Sequence, residues 1–338
     1  WLDRAGRTRF CRLIRNFEMF QHGYQLPSNL LAVAASFQPQ AIFTVADLTL
    51  SEVARRLARR LKIPLITNFQ DWWPRGQFFY PHEIPYKLLL PEFESRFRRL
   101  YRDSSLAFCT SEGMRDFLGP HPNSHVLYPI GSRHSLDRDD PPKMRQGKRR
   151  LIYTGTAFGC YGRMLRDLAK VLEGSPGWEL VIYGARPDWP VDELLRAESM
   201  GLYRGFLPFE QLKAELRNAD ACLSVMSFDS TLELMMRTSF TTKILDYCSA
   251  RRPVIVWGPS YCNPVRLMKR SEAALTVESS DAREVAACLA RLEFEPGLSE
   301  RLALEAFRLG QSELSHDHIH GVLVGQINQL LGYGNHNL

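Results

Sequence analysis

The sequence lacks long apolar runs, paired cysteine motifs and the best-known hydrolase and kinase signatures. No uncharged apolar segment approaches the ~20 residues that cross a bilayer, so we expect no membrane-spanning helix. The seven cysteines are an odd number and form no C-x-x-C pair, which favours a reducing, cytoplasmic setting over a disulfide framework. G-x-S-x-G and Walker motifs are absent. These absences disfavour membrane-spanning, disulfide-rich and kinase-like proteins.

Nucleic-acid motifs and a secretory signal are also missing. The chain is basic, with a formal net charge of +6, but has no RNP, zinc-finger or helix-turn-helix pattern. We therefore expect no nucleic-acid partner. The sequence opens at Trp1 without an initiator Met or an n-region followed by an h-region. We expect further sequence upstream.

The positive charge lies in the first half of the chain. Residues 1–150 contain 24 Lys/Arg and 14 Asp/Glu, a net charge of +10, and residues 151–338 contain 19 and 23, a net charge of −4. Four arginines, 55, 56, 59 and 60, follow a helical pattern in which Val53, Leu57 and Leu61 share one face. The pattern is consistent with a solvated face or with an anionic lipid surface at the inner face of the plasma membrane.

Apolar β-branched runs alternate with segments of helical period, which predicts strand–helix units around parallel sheets. We expect an α/β protein with two Rossmann-like, doubly wound domains. The first, over 1–130, is expected to be partial, and the second covers 150–330, with the last helix able to pack back on the first. Residues 131–149 read as a linker because they are polar, contain adjacent prolines and lack periodicity. In the second half, 202–205 is predicted as a strand and 299–331 as one helical region.

The segment 238–259 is the most informative for function. It follows a predicted strand and starts a helix near Thr241, so the free amides of Thr241, Thr242 and Lys243 should suit an anion. A lysine in the first turn opposes the helix macrodipole unless an anion lies nearby. The alternative is an i,i+3 pair between Lys243 and Asp246 on an exposed face.

This segment resembles the donor-site motif of GT-B glycosyltransferases, the nucleotide-sugar family. Asp246, seven residues before Pro253, matches the second acidic residue of that motif. A subgroup pattern, S-F-P-x-K-x-x-E-Y, is matched at these positions: Ser239, Phe240, Lys243, Asp246 and Tyr247. Thr238 stands where the family has its first Glu. The resemblance implies a fold of two Rossmann-like domains facing a cleft.

Three other segments extend the resemblance over roughly residues 38–330. The segment 201–227 is similar to the stretch in which, in this family, the chain after a glycine contacts the base of the nucleotide. A plain strand–turn–helix–strand explains the periodicity of this segment equally well. The segment 62–74 resembles the first-domain strand that ends in His-Asp, with Gln70 at the His position and Asp71 matched. The segment 106–118 resembles the strand and helix that close the family's first domain. The loop 154–162 departs from the family, because Thr156 and Tyr161 occupy positions where the family often has cationic diphosphate ligands.

The resemblance implies transfer of a sugar from a nucleotide-diphosphate sugar to an acceptor hydroxyl, in cell-surface polysaccharide or glycolipid assembly, without a cofactor or bound metal. The acceptor would be a glycan or a lipid-linked molecule. The implied catalytic residues are Asp71, Lys243 and Asp246. The implied donor-binding residues are Gly155, Thr156, Arg163, Gly205, Phe206, Leu207, Ser239, Phe240, Thr241, Thr242, Lys243 and Asp246. The implied acceptor-side residues are Gln70, Asp71, Trp72 and Trp73.

Several alternatives remain open. Trp72 and Trp73 fit core packing as well as a sugar-stacking platform. The glycines 155, 159 and 162 have a G-x3-G-x2-G spacing that differs from the dinucleotide fingerprint. His316 and His320 lie one helical turn apart but lack further metal ligands nearby. A nucleotide-sugar epimerase of the same architecture, or a catalytically inactive sugar-nucleotide or glycan-binding protein, are the competing functions.

Overall fold

The computed structural model describes residues 25–47, 50–75, 84–131 and 147–333, with only the backbone of 84–87. The described residues group into two compact units. Unit 1 comprises Trp1–Tyr128 and Gly321–Leu338, and unit 2 comprises Pro129–His320. Most of the predicted linker, residues 132–146, lies outside the described residues. Each unit contains a parallel sheet with helices in its connections.

Unit 1 is built on a four-stranded parallel sheet in the order β1-β2-β3-β4. Its strands are β1 (Ile42–Val45), β2 (Leu65–Phe69), β3 (Leu106–Cys109) and β4 (Ser124–Val126). Its helices are α1 (Ser28–Phe37), α2 (Leu50–Leu61), α3 (Ile84–Asp103) and α4 (Glu112–Leu118), with a 3-10 turn at Trp73–Arg75. All four residues of β3 are buried, as its continuous apolar run predicts.

Aromatic packing forms much of the core of unit 1. Phe69, at the end of β2, meets the rings of Phe97 and Tyr101 edge to face at 5.1 and 5.4 Å between centroids. Trp72 lies 2% exposed in the same cluster, 5.0 Å from Phe97 and 5.1 Å from Phe117. These edge-to-face contacts hold the carboxyl end of β2 against α3 and α4.

Helix α2 does not present all four of its arginines to solvent, and that expectation is wrong for Arg55. Arg55 is 4% exposed and donates two hydrogen bonds to Glu52, at 2.8 and 2.7 Å, and one to Asp103 at 2.5 Å. Arg56 is partly buried and also bonds Glu52, at 3.1 Å. Only Arg59 and Arg60 of the four are exposed. The buried face of α2 is therefore an ion-pair network as well as an apolar stripe.

Unit 2 contains a five-stranded parallel sheet in the order β6-β5-β7-β8-β9. Its strands are β5 (Arg149–Gly155), β6 (Trp178–Gly184), β7 (Ala221–Val225), β8 (Val254–Trp257) and β9 (Leu275–Val277). Its helices are α5 (Gly159–Leu172), α6 (Val191–Ser199), α7 (Phe209–Arg217), α8 (Glu233–Thr238), α9 (Lys243–Ser249), α10 (Asn263–Arg270), α11 (Ala282–Phe294) and α12 (Leu298–Gln311). The last helix, α13 (His316–Leu331), crosses the boundary between the units.

Three details of unit 2 differ from the sequence-based expectation. The predicted strand 202–205 is reduced to one bridge, Ile182–Tyr203, because Gly201 and Gly205 on either side have positive φ. Helix α6 was not predicted. The C-terminal helical region divides into α12 and α13 at residues 312–315.

The core of unit 2 lies on both faces of its sheet. Trp257, at the end of β8, is fully buried and its indole donates a 2.7 Å hydrogen bond to the carbonyl of Ser279. Within the described residues, none of the helices combines the length and apolarity that crossing a bilayer requires.

Candidate functional site

The carboxyl ends of β5 and β6 meet at two glycines, Gly155 and Gly184. A Cβ on Gly184 would lie 2.2 Å from the carbonyl oxygen of Gly155, and both residues have positive φ, +130° and +109°. Gly205 joins them because its carbonyl accepts from the Gly184 amide at 2.9 Å. Two of the predicted donor-site residues, Gly155 and Gly205, are thus brought to one sheet edge, where ligands bind in doubly wound folds.

Lys243, the first residue of α9, reaches across to this edge. Its Nζ donates to the hydroxyl of Tyr153 on β5 at 3.0 Å. The ammonium lies 4.5 Å from the ring centroid of Tyr153 and 5.6 Å from that of Tyr161. Its Cε would lie 2.7 Å from a Cβ placed on Gly155, so the lysine occupies the space that the glycine leaves open. Hydrogen bonding and two aromatic faces therefore hold the lysine in place.

Burial lowers the pKa of Lys243 to about 8. Within the described residues Lys243 forms no ion pair with Asp246, so the exposed i,i+3 pair considered above does not occur. The ammonium group makes one hydrogen bond to a neutral hydroxyl and keeps donors for a further acceptor. An anion entering this position would find a desolvated, oriented cation.

Asp246 lies one helical turn after Lys243 and is half-buried. Burial raises the pKa of its carboxyl, and the positive charge of Lys213 on α7 partly opposes that rise. No described residue donates a hydrogen bond to the carboxylate. Since Lys213 also stacks on Phe209, 4.7 Å from its centroid, Asp246 lies near the start of α7. The two charged residues of the motif therefore lie one turn apart on α9, and both have hydrogen-bonding capacity left for a ligand.

Two buried side chains fix the motif segment against the sheet. The hydroxyl of Tyr247 accepts from the backbone amide of Thr154 at 2.9 Å, which ties α9 to β5. Asn263, 2% exposed, donates to the carbonyls of Arg237 and Ser239 at 2.6 and 3.1 Å. The turn before α9 is thus held from both sides.

Within that turn, the side chains differ in exposure. Phe240 is 8% exposed and contributes to packing, whereas Thr242 is exposed and Ser239 and Thr241 are partly so. Thr238, at the position of the family's first Glu, is fully buried and its hydroxyl bonds the carbonyl of Leu234 at 2.9 Å. No carboxylate therefore occupies that position in this chain.

The remaining predicted donor-site residues lie on α5 and in the loops after β5 and Gly205. Thr156 follows Gly155 and its carbonyl accepts from the Tyr153 hydroxyl. Arg163 is exposed on α5 and lies 3.5 Å from Asp229. Phe206 and Leu207 follow Gly205, and Phe206 is 78% exposed. An exposed phenyl ring has a free face on which a flat ring can stack.

On unit 1, the predicted acceptor-side residues divide into two groups. Gln70 and Asp71 are exposed at the carboxyl end of β2. Trp72 belongs to the aromatic core, with Arg98 5.0 Å above its ring, so core packing accounts for it and a sugar-stacking face is not available. Trp73 is half-buried.

No group of three or more His, Cys, Asp and Glu residues within the described ranges is arranged to hold a metal ion. The rings of His316 and His320 stack at 5.9 Å between centroids, and His316 bonds Asp317 at 3.1 Å. Their one-turn spacing produces a stacked pair.

Sequence reasoning did not predict the role of Tyr153 and Asn263. Tyr153 occupies a buried strand, where an aromatic residue reads as core, and Asn263 contacts residues 24 and 26 positions earlier in the chain. Asn-Pro at a helix start was the available signal for Asn263.

Comparison with solved structures gives the fold. A glycosyltransferase from Rickettsia africae is similar with a TM-score of 0.64 and 10% identity, over 97% of this chain and 83% of that chain. Anabaena Alr3699/HepE, in complex with UDP-glucose, is similar with a TM-score of 0.61 and 11% identity, over 89% and 81%. Trehalose 6-phosphate synthase from Burkholderia multivorans is similar with a TM-score of 0.62 and 12% identity, over 98% of this chain and 80% of that chain.

These similarities confirm the predicted fold class, two Rossmann-like α/β domains of the GT-B type, and the resemblance to GT-B glycosyltransferases at the level of fold. No protein-family model matches the sequence, and no curated protein matches it. At identities of 10 to 12%, the similarity establishes the fold, and the activity has to be argued from the site.

Proposed function

We propose that this chain is a glycosyltransferase that binds a nucleotide-diphosphate sugar at the carboxyl edge of the unit 2 sheet. The observation that carries the proposal is the placement of Lys243. Its ammonium is held by Tyr153 beside Gly155, and the Asp246 carboxylate lies one turn further along α9. A diphosphate and a ribose present the complementary groups, oxygen anions and hydroxyls.

In the proposed reaction, the bond between the anomeric carbon and the diphosphate oxygen breaks, and the acceptor oxygen bonds the same carbon. The negative charge that develops on the leaving diphosphate would be stabilised by Lys243 and by the amides of residues 241–243. Asp246 would hold the ribose hydroxyls. Asp71 is proposed to orient the acceptor and to take its hydroxyl proton.

We propose that this charge stabilisation requires no bound metal, because Lys243 supplies a cation at the diphosphate position. The pKa of Lys243, about 8, leaves most of the lysine charged at neutral pH. A neighbouring diphosphate would favour the charged form further. The site would therefore bind the donor most tightly below pH 8.

Titration calorimetry with UDP and GDP tests the donor site. Lys243→Ala and Asp246→Ala should each weaken binding by about 10- to 150-fold, because one charge-assisted hydrogen bond is worth ~1.5–3 kcal/mol. Lys269→Ala is the matched control, since Lys269 is an exposed lysine that pairs with Glu278 on the same unit. Unchanged affinity in both site variants, with folding intact, rejects the placement.

A second candidate is a sugar-nucleotide-binding protein without transferase activity. The buried Thr238 favours it, because that position carries no carboxylate to interact with the donor sugar. Measuring donor hydrolysis and transfer with and without candidate acceptors separates the two functions. Binding of UDP without any turnover supports the second candidate.

For the acceptor, we propose a glycan or a lipid-linked molecule in cell-surface polysaccharide or glycolipid assembly, with the protein peripheral at the inner face of the plasma membrane. The net charge of +10 in residues 1–150 supports attraction to an anionic leaflet. Because Arg55 is buried in ion pairs, the exposed Arg59 and Arg60 are the candidates for that contact on α2.

A further inference from the structure

The hydroxyl of Tyr153 connects two parts of the proposed donor site. It donates to the carbonyl oxygen of Thr156, in the loop between β5 and α5. It accepts from the ammonium of Lys243 on α9 at 3.0 Å. Since a tyrosine hydroxyl has one proton and can accept as well, both roles are filled at once. One buried oxygen therefore links the loop to the cation.

The rest of the lysine side chain is also confined. Tyr153 and Tyr161 place their rings near the ammonium, and the stem passes over Gly155, where a Cβ would lie 2.7 Å from Cε. A lysine stem is flexible and loses rotamer freedom when it binds a ligand from solution. Here that freedom is already restricted before a ligand arrives, which is preorganisation.

We propose that Tyr153 is a positioning residue for the donor diphosphate. Its hydroxyl holds the Lys243 ammonium and the loop after β5 in one arrangement, so that a diphosphate meets both already in place. This inference rests on the proposed function, because it takes Lys243 as the diphosphate ligand. It adds that the lysine depends on a partner in the neighbouring strand.

The charge state of Lys243 gives this proposal a specific readout. Burial lowers the pKa of Lys243 to about 8. Among the described residues, the titratable groups that face its ammonium are Tyr153 from β5 and Tyr161 from α5, and Lys243 forms no ion pair with Asp246, one turn along its own helix. Burial raises the pKa of Tyr153 well above its ordinary value, so that hydroxyl stays protonated near pH 8. Diphosphate affinity should be retained below pH 8 and decline above it.

Removing the Tyr153 hydroxyl takes away an acceptor that favours the charged lysine, while the desolvating environment stays. The pKa of Lys243 should then fall further, and the decline in affinity should begin at a lower pH. Loss of a structural hydrogen bond elsewhere in the sheet would lower stability without moving this pH. A decline in affinity that begins at a lower pH therefore distinguishes a role in positioning Lys243 from a purely structural role.

The experiment compares Tyr153→Phe with the wild-type chain, using UDP as the probe from pH 6 to 9.5. Tyr153→Phe should bind UDP about tenfold more weakly at pH 7 and lose affinity at a lower pH. Tyr183→Phe is the matched control, because Tyr183 is a buried tyrosine of the adjacent strand β6 whose hydroxyl bonds Glu215 at 2.8 Å. The control should keep the wild-type pH profile.

A measurement without ligand keeps the test independent of UDP. Lysines carrying 13C-dimethyl groups can be titrated by NMR, with Lys243 assigned from Lys243→Arg. The Lys243 signal should titrate near pH 8 in the wild type and lower in Tyr153→Phe. An unchanged titration and an unchanged UDP profile would overturn the role of Tyr153 while leaving a donor site that needs Lys243. Failure of Lys243→Ala to affect UDP binding would instead overturn the proposed function.

Discussion

The buried ion pair between Arg55 and Glu52 on α2 should contribute to the free energy of unfolding, and variants at these two positions separate the effect of charge from that of burial. Replacing Arg55 by Met keeps a long, unbranched side chain but removes three hydrogen bonds, two to Glu52 and one to Asp103. It also leaves the Glu52 carboxylate, 4% exposed, with Arg56 as its remaining cationic partner. The question is how much free energy of unfolding this costs.

Breaking a buried ion pair by removing one partner costs about 3–5 kcal/mol, because the other charge stays desolvated. Arg56 still contacts Glu52, so we expect the lower end, about 3 kcal/mol. The control Arg59→Met changes an exposed arginine of the same helix and should stay within ~0.5 kcal/mol of wild type. The double variant Glu52→Gln/Arg55→Met removes both charges and should be more stable than Arg55→Met alone.

The assay is urea unfolding followed by circular dichroism, over a range of pH. Burial alone would raise the pKa of Glu52, but the hydrogen bonds from Arg55 and Arg56 outweigh it and leave the pKa below its ordinary value. A depressed carboxyl pKa gives stability that is present above the ordinary value and lost as the pH falls through the lower, folded value. The difference in free energy of unfolding between wild type and Arg55→Met should therefore become smaller as the pH falls. Equal stability of the Arg55 and Arg59 variants at neutral pH would refute the reasoning.

Two further predictions concern unit 1. Trp72→Ala should lower the free energy of unfolding by ~3–5 kcal/mol, because it leaves a cavity in a packed aromatic cluster. Trp72→Phe should leave the KM for the acceptor unchanged, and a raised KM with unaltered stability in that variant would contradict a packing role. The double change Arg59→Gln/Arg60→Gln should weaken binding to anionic vesicles at low salt, measured by sedimentation, because each arginine near the surface contributes ~1 kcal/mol of binding free energy. Arg283→Gln on unit 2 should leave vesicle binding unchanged. If wild type does not bind such vesicles, these arginines form a solvated face.

The alternation of short apolar runs with segments of helical period was enough to predict the strands of both sheets, because both patterns involve residues close together in the sequence. Strand β3 shows this, since its apolar run is buried throughout. Segment 202–205 shows the limit. Its apolar residues suggested a strand, and the segment does hydrogen-bond β6 as far as Gly205, but glycines with positive φ at 201 and 205 limit the pairing to one bridge.

Long-range contacts explain the other differences. The periodicity of α2 could not show that Arg55 faces inward, because its partner Asp103 lies 48 residues later. Lys243 and Asp246 were identified as candidate donor-binding residues through a motif resemblance, and their separation of one helical turn follows from their spacing in the sequence. The aromatic surroundings of Lys243 were not predictable, since Tyr153 is 90 residues away and looks like a core residue of a strand.

The glycine pair at the ends of β5 and β6 has a consequence for sequence variation. Because a Cβ on Gly184 would lie 2.2 Å from the Gly155 carbonyl, and one on Gly155 would displace Lys243, neither position can accept a side chain independently of its neighbours. A substitution at Gly184 would require the backbone of β5 to move, whereas one at Gly155 would strain a backbone of positive φ and displace the end of the Lys243 side chain. Single substitutions are therefore poorly tolerated at this edge, and we expect variation in what the edge binds to arise in the loops around it.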